Sequence, residues 1–106
     1  MVKIAVIGGG LGGAAASLAL HRKGHEVALY EKASELGEIG AGLNLTPNAL
    51  KAFRYLGIED QAVHTGYQVR EQLIRSFCSG RIIARPRRSS NIVKKFGAEY
   101  ITMHRA

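Results

Sequence analysis

Residues 2–20 read VKIAVIGGGLGGAAASLAL, and this stretch decides the fold of the chain. Residues 2–7 form an apolar run, rich in β-branched side chains, that stops at Gly8, which predicts a strand buried on both faces. Beyond the glycines, apolar residues recur at the spacing of one helix face, at Leu11, Ala14, Ala15 and Leu18. The pattern predicts a strand, a glycine turn and a helix that ends near Lys23 and Gly24.

A second strand is predicted at residues 27–31, where Val27 and Leu29 alternate with other residues and Glu31 stands at the end. The order of strand, turn, helix and strand over residues 1–31 is typical of a right-handed βαβ crossover. Glu31 follows Gly13 at close to the separation of about twenty residues that a dinucleotide-binding unit places between its last glycine and its acid.

The spacing Gly8-x-Gly10-x-x-Gly13 is the main chemical signal in the chain. Gly8 permits a tight turn, Gly10 removes a side chain that would hold phosphates away, and Gly13 lets the helix pack closely. The helix then directs its unpaired N–H groups and the positive end of its dipole at a pyrophosphate. A glycine-rich loop beside an unrelated surface glutamate is the alternative interpretation.

A carboxylate at Glu31 can accept hydrogen bonds from both hydroxyls of an adenosine ribose, and it repels a 2′-phosphate. We therefore expect FAD or NAD at this turn rather than NADP. The βαβ unit does not separate these two, because both cofactors contain the adenosine diphosphate half.

The middle of the chain predicts a loop and a helix. Residues 33–45 are expected to form a glycine-rich loop without regular structure. Thr46 as N-cap and Pro47 at the first helical position start a helix that Gly57 closes. Its apolar face is predicted to hold Ala49, Phe53 and Leu56, and residues 59–64 are expected to add another helical turn.

The last third of the chain predicts strands. Residues 67–77 and 81–85 are expected to pair as a hairpin around Ser79 and Gly80, followed by a basic loop. Residues 100–103 are expected to form one more short strand. These elements, over residues 67–103, would begin a second, mixed or antiparallel sheet.

Composition limits the possible classes. A hydrophobic fraction of 46% is typical of a globular protein. Cys78 is the only cysteine, so no internal disulfide is possible, and it is expected to pack as a small core residue. Glycines interrupt the uncharged run at residues 4–20, which argues against a secretory signal or a membrane span. A cytoplasmic protein is expected.

The net charge of +7 comes largely from residues 81–95, which carry few aromatic side chains and match no nucleic-acid-binding module. We expect a solvated basic surface and no nucleic-acid partner. The four histidines do not share metal-ligand spacing, and no residue is expected to be a catalytic acid, base or nucleophile. We expect no metal site.

Further motifs carry a family resemblance. They are Tyr30-Glu31-Lys32-Ala33, Gly40-Ala41-Gly42-Leu43, Pro47-Asn48-Ala49, Leu56-Gly57, Phe96-Gly97-Ala98-Glu99-Tyr100 and His104-Arg105. Together they resemble the single-component FAD-dependent aromatic monooxygenases, with salicylate hydroxylase and its relatives as the nearest type. The resemblance covers essentially the whole chain.

The resemblance implies FAD as cofactor. It assigns the pyrophosphate to Gly8, Gly10 and Gly13 with backbone contributions from Leu11 and Gly12, the ribose to Glu31 and the edge of the adenine to Lys32. It places the 40–43 loop, including Gly42, near the ribityl and flavin end, and it makes Arg105 a further cofactor contact. The implied reaction uses NADH or NADPH and O₂ to hydroxylate an aromatic or related small molecule.

The predicted fold class is α/β, with a Rossmann-like FAD-binding βαβ unit and the beginning of a mixed or antiparallel sheet, incomplete relative to the family. Residues 1–106 are expected to form a single partial FAD-binding domain. The chain is expected to be a fragment that binds FAD weakly and lacks turnover alone, with the missing C-terminal part as its possible partner. An NAD-binding dehydrogenase segment and a truncated non-catalytic dinucleotide-binding module are the alternatives.

Overall fold

A computed structural model describes residues 1–35, 42–69, 71–86 and 91–104. The chain divides into two compact units, Met1–Gly40 and Ala41–Arg105. Each unit is described by itself, and the expectation of a single partial domain over residues 1–106 stays a prediction.

The first unit has the predicted βαβ order. It consists of strand β1 at Lys3–Ile7, helix α1 at Leu11–Arg22 and strand β2 at Glu26–Tyr30. The strands are parallel and in continuous register from Lys3 opposite Glu26 to Ile7 opposite Tyr30. Gly24 has a φ of +87°, a left-handed conformation that glycine adopts readily, and it turns the chain from α1 into β2.

Only one face of this two-stranded sheet is covered in the first unit. Ile4, Val6 and Val27 are half-buried, whereas the side chain of Ile7 is 80% exposed and that of Tyr30 is 59% exposed. The prediction that the first strand is buried on both faces is wrong for the described residues, because α1 packs on one face alone.

The second unit contains the remaining elements. In chain order these are β3 at Leu43–Leu45, α2 at Pro47–Leu56, α3 at Glu59–Thr65, β4 at Tyr67–Gln68, β5 at Ile74–Arg75, β6 at Ile82–Ala84, α4 at Ile92–Phe96 and β7 at Ile101–Met103. Strand β7 pairs antiparallel with β3 on one side and with β4 on the other. Strands β5 and β6 form a separate antiparallel pair.

Several expectations for the second unit are confirmed, among them the helix at residues 59–64 as α3 and the strand at 100–103 as β7. Helix α2 begins at Pro47 after the N-cap Thr46 and ends before Gly57, whose φ is +74°. The hairpin of β5 and β6 forms around Gly80, whose φ is +69°, and the Ser76 N–H donates to the Arg81 carbonyl at 2.8 Å.

Other expectations for the second unit are wrong. The predicted loop at 33–45 contains strand β3. The predicted strand at 67–77 is two strands in different sheets, because β4 pairs with β7 while β5 pairs with β6. Helix α4 was not expected, and Cys78 is exposed rather than buried because it lies in the hairpin turn.

The buried residues of the described chain all lie in the second unit. Leu45, Leu50, Ala62, Ala98 and Ile101 form one cluster, and Leu56 is also buried. Part-buried side chains of Phe53, Val63 and Met103 pack against the cluster, so α2, α3 and the sheet of β3, β7 and β4 share one core. Within the described residues, no helix has the length and apolar character needed to cross a membrane.

Candidate functional site

The glycine turn between β1 and α1 is fixed by its backbone. Gly8 has a φ of +105°, a conformation that strains any residue with a side chain. Its N–H donates to the Tyr30 carbonyl at 2.7 Å, so the start of the turn is tied to the end of β2.

Gly13 brings α1 directly onto this turn. A Cβ atom at Gly13 would lie 1.8 Å from the carbonyl oxygen of Gly8, a distance that no real contact allows. The lack of a side chain therefore lets the helix approach the strand, as the glycine spacing predicts.

The N-terminus of α1 faces open space. Gly10 is the N-cap, and its carbonyl accepts the Ala14 N–H at 2.9 Å. A Cβ atom at Gly10 or at Gly12 would meet nothing within 4 Å, and the first turn carries no acidic side chain. The N–H groups of the first helical turn, including that of Leu11, have no acceptor within the helix, so an anion can approach them.

Glu31 lies beside the glycine turn, immediately after β2. Its Oε2 accepts the Gly9 N–H at 2.6 Å and its Oε1 accepts the Ala33 N–H at 3.1 Å. These backbone hydrogen bonds, that of Ala33 first and that of Gly9 second, hold the pKa of the Glu31 carboxyl below its ordinary value. The side chain is exposed, so an ionised carboxylate is presented to solvent next to the helix N-terminus.

Gly9 is a residue that the sequence reasoning missed. A Cβ atom there would lie 3.0 Å from Oε2 and 3.1 Å from Cβ of Glu31. The pattern Gly8-x-Gly10-x-x-Gly13 allows any residue at position 9. The sequence indicated a special role for Gly9 only through the run of three glycines at residues 8–10.

Three other predicted cofactor residues are Lys32, Gly42 and Arg105. Lys32 is exposed, and its charge makes a small contribution to the lowered pKa of Glu31. Gly42 belongs to the second unit, where a Cβ atom would lie 3.4 Å from the Met103 carbonyl oxygen. Arg105, like residues 40 and 41 of the predicted flavin loop, lies outside the described residues.

The second unit contains a cavity of about 430 Å³ between α2, α4 and the segment before β7. Its lining is mainly apolar, with one amide and one ammonium group, from Pro47, Asn48, Lys51, Ile92, Phe96 and Tyr100. Gly42 does not line it.

The donors and acceptors of the first unit fit the adenosine diphosphate half of a dinucleotide. A doubly charged diphosphate needs N–H donors and room for close approach, and the open positions at Gly10 and Gly12 provide both. A ribose diol needs an acceptor nearby, and Glu31 lies within hydrogen-bond distance of the same turn. Among the described residues, no group of three histidine, cysteine, aspartate or glutamate side chains is arranged to hold a metal ion.

Comparisons with known proteins agree with this geometry. A family profile described as "FAD binding domain" matches residues 1–104. The chain is 39% identical over 103 residues to a 6-hydroxynicotinate 3-monooxygenase of Pseudomonas fluorescens, which covers 97% of this chain and 27% of that protein. It is 40% identical over 102 residues to a 3-hydroxybenzoate 6-hydroxylase of Polaromonas naphthalenivorans, which covers 96% and 26%.

Solved structures match as well. The crystal structure of Klebsiella pneumoniae HpxO complexed with FAD and uric acid superposes with a TM-score of 0.84 at 28% identity, covering 99% of this chain and 26% of that chain. A tetrameric form of 2-methyl-3-hydroxypyridine-5-carboxylic acid oxygenase gives a TM-score of 0.82 at 28% identity, with the same coverage. The chain thus spans about a quarter of the length of the proteins that it matches.

Proposed function

The chain belongs to the FAD binding domain family, and from this premise we propose that it provides the adenosine-binding part of a flavin-dependent monooxygenase. The resemblance to FAD-dependent aromatic monooxygenases is confirmed by relatives named for that activity. Family membership favours FAD over the alternative of an NAD-binding dehydrogenase segment. The non-catalytic module stays an open alternative.

In this proposal the first unit binds the ADP half of FAD. The N–H groups at the start of α1 bind the pyrophosphate, with Gly8, Gly10 and Gly13 giving the turn its shape and Leu11 and Gly12 contributing backbone. Glu31 accepts the ribose hydroxyls and Lys32 borders the adenine. The observation that carries the proposal is the position of the Glu31 carboxylate, 2.6 Å from the Gly9 nitrogen, which makes the diphosphate and ribose sites adjacent.

The remaining assignments extend the proposal toward the flavin. Gly42 belongs to the 40–43 segment that we assign to the ribityl chain and flavin end, and Arg105 is assigned as a further contact to FAD. Both rest on the family resemblance. Their test is a substitution of each residue with FAD affinity as the readout.

The whole protein would hydroxylate a small aromatic or related molecule with NADH or NADPH as electron donor. The relatives named above are a hydroxynicotinate and a hydroxybenzoate hydroxylating enzyme. Bound FAD supplies the electron storage and the reaction with O₂, while the residues of this chain bind and orient the cofactor. Because the relatives are about four times as long, we propose that further sequence supplies the substrate pocket, and that the protein acts in the cytoplasm.

A titration of the purified chain with FAD tests the proposal. We expect the flavin absorbance and fluorescence to change on binding, ADP to compete, and Glu31→Ala to weaken FAD binding by roughly 10- to 100-fold, because hydrogen bonds to a charged group are lost. Gly10→Val should also weaken it, since the side chain enters the space left open at the helix N-terminus.

Ala16→Ser is the control, because it adds one heavy atom at an exposed position of α1. It should leave FAD affinity unchanged. Binding of NAD as tight as that of FAD, or indifference of FAD affinity to both Glu31→Ala and Gly10→Val, would contradict the proposal.

A further inference from the structure

We propose that Gly9 is a positioning residue: its N–H and its missing side chain hold the Glu31 carboxylate in the orientation that receives both hydroxyls of the adenosine ribose. This inference rests on the proposed function. The inference adds Gly9 to the residues that serve the ribose site, although the pattern Gly8-x-Gly10-x-x-Gly13 does not specify the residue at position 9.

The hydrogen bonds of Glu31 leave an acceptor site for a ribose diol. An ionised carboxylate offers about four lone-pair sites on its two oxygens. One site on Oε2 takes the Gly9 N–H and one on Oε1 takes the Ala33 N–H. The Lys32 N–H makes a weaker hydrogen bond to the same carboxylate, so three of the four sites are engaged. At least one acceptor position stays open, and the adjacent hydroxyls of a ribose can share it.

The same hydrogen bonds prepare the carboxylate before any ligand arrives. A glutamate side chain that is free in solution loses rotamer freedom when it binds, and that loss lowers affinity. At Glu31 the orientation is already fixed by backbone donors, chiefly one in the glycine turn and one just beyond β2. The Gly9 N–H thus acts on the ribose site without touching the ribose.

The missing side chain of Gly9 is the second feature that holds Glu31 in place. A Cβ atom would lie 3.0 Å from Oε2, 3.1 Å from Cβ and 3.3 Å from Cγ of Glu31. Rotation of the carboxylate could relieve the first contact but not the second, because Cβ of Glu31 is fixed to its backbone. Gly9 does not have a left-handed φ, so its backbone conformation suits alanine, and the effect of an alanine comes from its contact with Glu31.

The binding test compares ADP with 2′,3′-dideoxy-ADP, which keeps the diphosphate and lacks both ribose hydroxyls. Affinities of the full chain are measured by NMR titration for the wild type, Gly9→Ala, Glu31→Ala and the double variant. We expect Gly9→Ala to weaken ADP binding about tenfold, because Glu31 is displaced from the diol. Binding of the dideoxy nucleotide should change by less than about twofold, and the double variant should bind ADP no worse than Glu31→Ala.

A second measurement needs no ligand. In the wild type, the Gly9 amide resonance should shift with pH together with the Glu31 carboxyl carbon, and Glu31→Gln should abolish that shift. Lys32 is the charged neighbour of this carboxyl, so Lys32→Gln serves as a control that keeps the coupled shift. This measurement decides the contact even if Gly9→Ala does not fold, since a Gly9 amide that ignores Glu31 overturns the inference.

The outcomes separate the inference from the proposed function. Equal weakening of both nucleotides by Gly9→Ala would mean that Gly9 serves the diphosphate, and no weakening of ADP would mean that it positions nothing. Either result overturns the role of Gly9 while FAD binding stands. A wild-type chain that binds neither FAD nor ADP refutes the proposed function, and the ribose role of Gly9 with it.

Discussion

The two units of the chain are stabilised by different kinds of internal contact. The second unit has a cluster of buried side chains, with Leu50 and Ile101 fully buried. Among the described residues of the first unit, none is buried, and its order comes from the parallel β1–β2 pairing and from the contact of Gly13 with Gly8. The second unit thus has fully buried side chains, whereas the first combines half-buried side chains with a close contact that a missing side chain permits. Removal and addition of atoms should therefore affect the two units to different degrees.

Removal of a leucine side chain should give the largest contrast. Leu50→Ala empties a site that is 0% exposed and should lower the free energy of unfolding by about 2–5 kcal/mol. Leu11→Ala makes the same change in the first unit, where the leucine is 55% exposed, and should cost less than about 1 kcal/mol. Denaturant unfolding, followed by circular dichroism, measures both. Equal losses would mean that the first unit also relies on a side-chain core.

Addition of a methyl group should lower the stability of the first unit at Gly13. Gly13→Ala would place Cβ 1.8 Å from a backbone oxygen and should cost about 1–3 kcal/mol, because neither the helix nor the turn can yield without losing contacts. Gly12→Ala, the matched control one residue earlier, meets nothing within 4 Å and should stabilise the chain by up to about 1 kcal/mol through helix propensity. The readout is the unfolding midpoint of each variant. A Gly13→Ala chain as stable as Gly12→Ala would refute the close helix–turn packing.

The smallest expected effect concerns one carboxylate in each unit. Backbone hydrogen bonds hold the pKa of Glu31 below its ordinary value, whereas the pKa of Glu59 is lowered mainly by the hydrogen bond from Arg54, which donates to it at 2.6 Å. A carboxyl with a lowered folded pKa stabilises the fold above its unfolded pKa and loses that contribution as pH falls through the folded value.

Glu31→Gln and Glu59→Gln should therefore destabilise the chain near neutral pH, and the deficit should shrink as the pH falls through the range in which these carboxyls protonate. The salt dependence of stability should differ between the two variants. The deficit of Glu59→Gln should shrink at high salt because its main partner is charged. That of Glu31→Gln should mostly persist because its main partners are neutral amides and the charge of Lys32 contributes little. Unfolding curves across pH at two salt concentrations measure both. Identical salt responses would argue against different causes.

Local patterns were sufficient for the elements that local residues specify. The glycine spacing and the apolar run predicted β1, α1 and β2 in order, and Thr46, Pro47 and Gly57 predicted both ends of α2. In each case the deciding contact joins residues close in sequence or follows a fixed backbone rule, such as proline at a helix start. The close approach of α1 to the turn at Gly13 was likewise predicted by the glycine spacing, while the cofactor-binding roles stay predictions.

Elements specified by distant partners were predicted less completely: β7 was predicted as a strand, but its pairing with β3 and β4 was not. Strand β3 forms because Leu43–Leu45 pairs with β7, and no local pattern in a glycine-rich segment indicates that pairing. The division of residues 67–77 between two sheets has the same origin. The contact of Gly9 with Glu31 was missed for a related reason, since it joins a turn to the residue after the next strand through one backbone N–H.

The central place of β7 in its sheet affects the order in which the molecule can fold. β1 and β2 are separated by one helix and can pair as soon as both have left the ribosome. β3 and β4 must wait for β7, which follows both of them in the described part of the chain. Closing so long a loop costs chain entropy before any contact compensates it, which slows the step. A nascent chain should therefore form its glycine turn before it completes the hydrophobic core of the second unit.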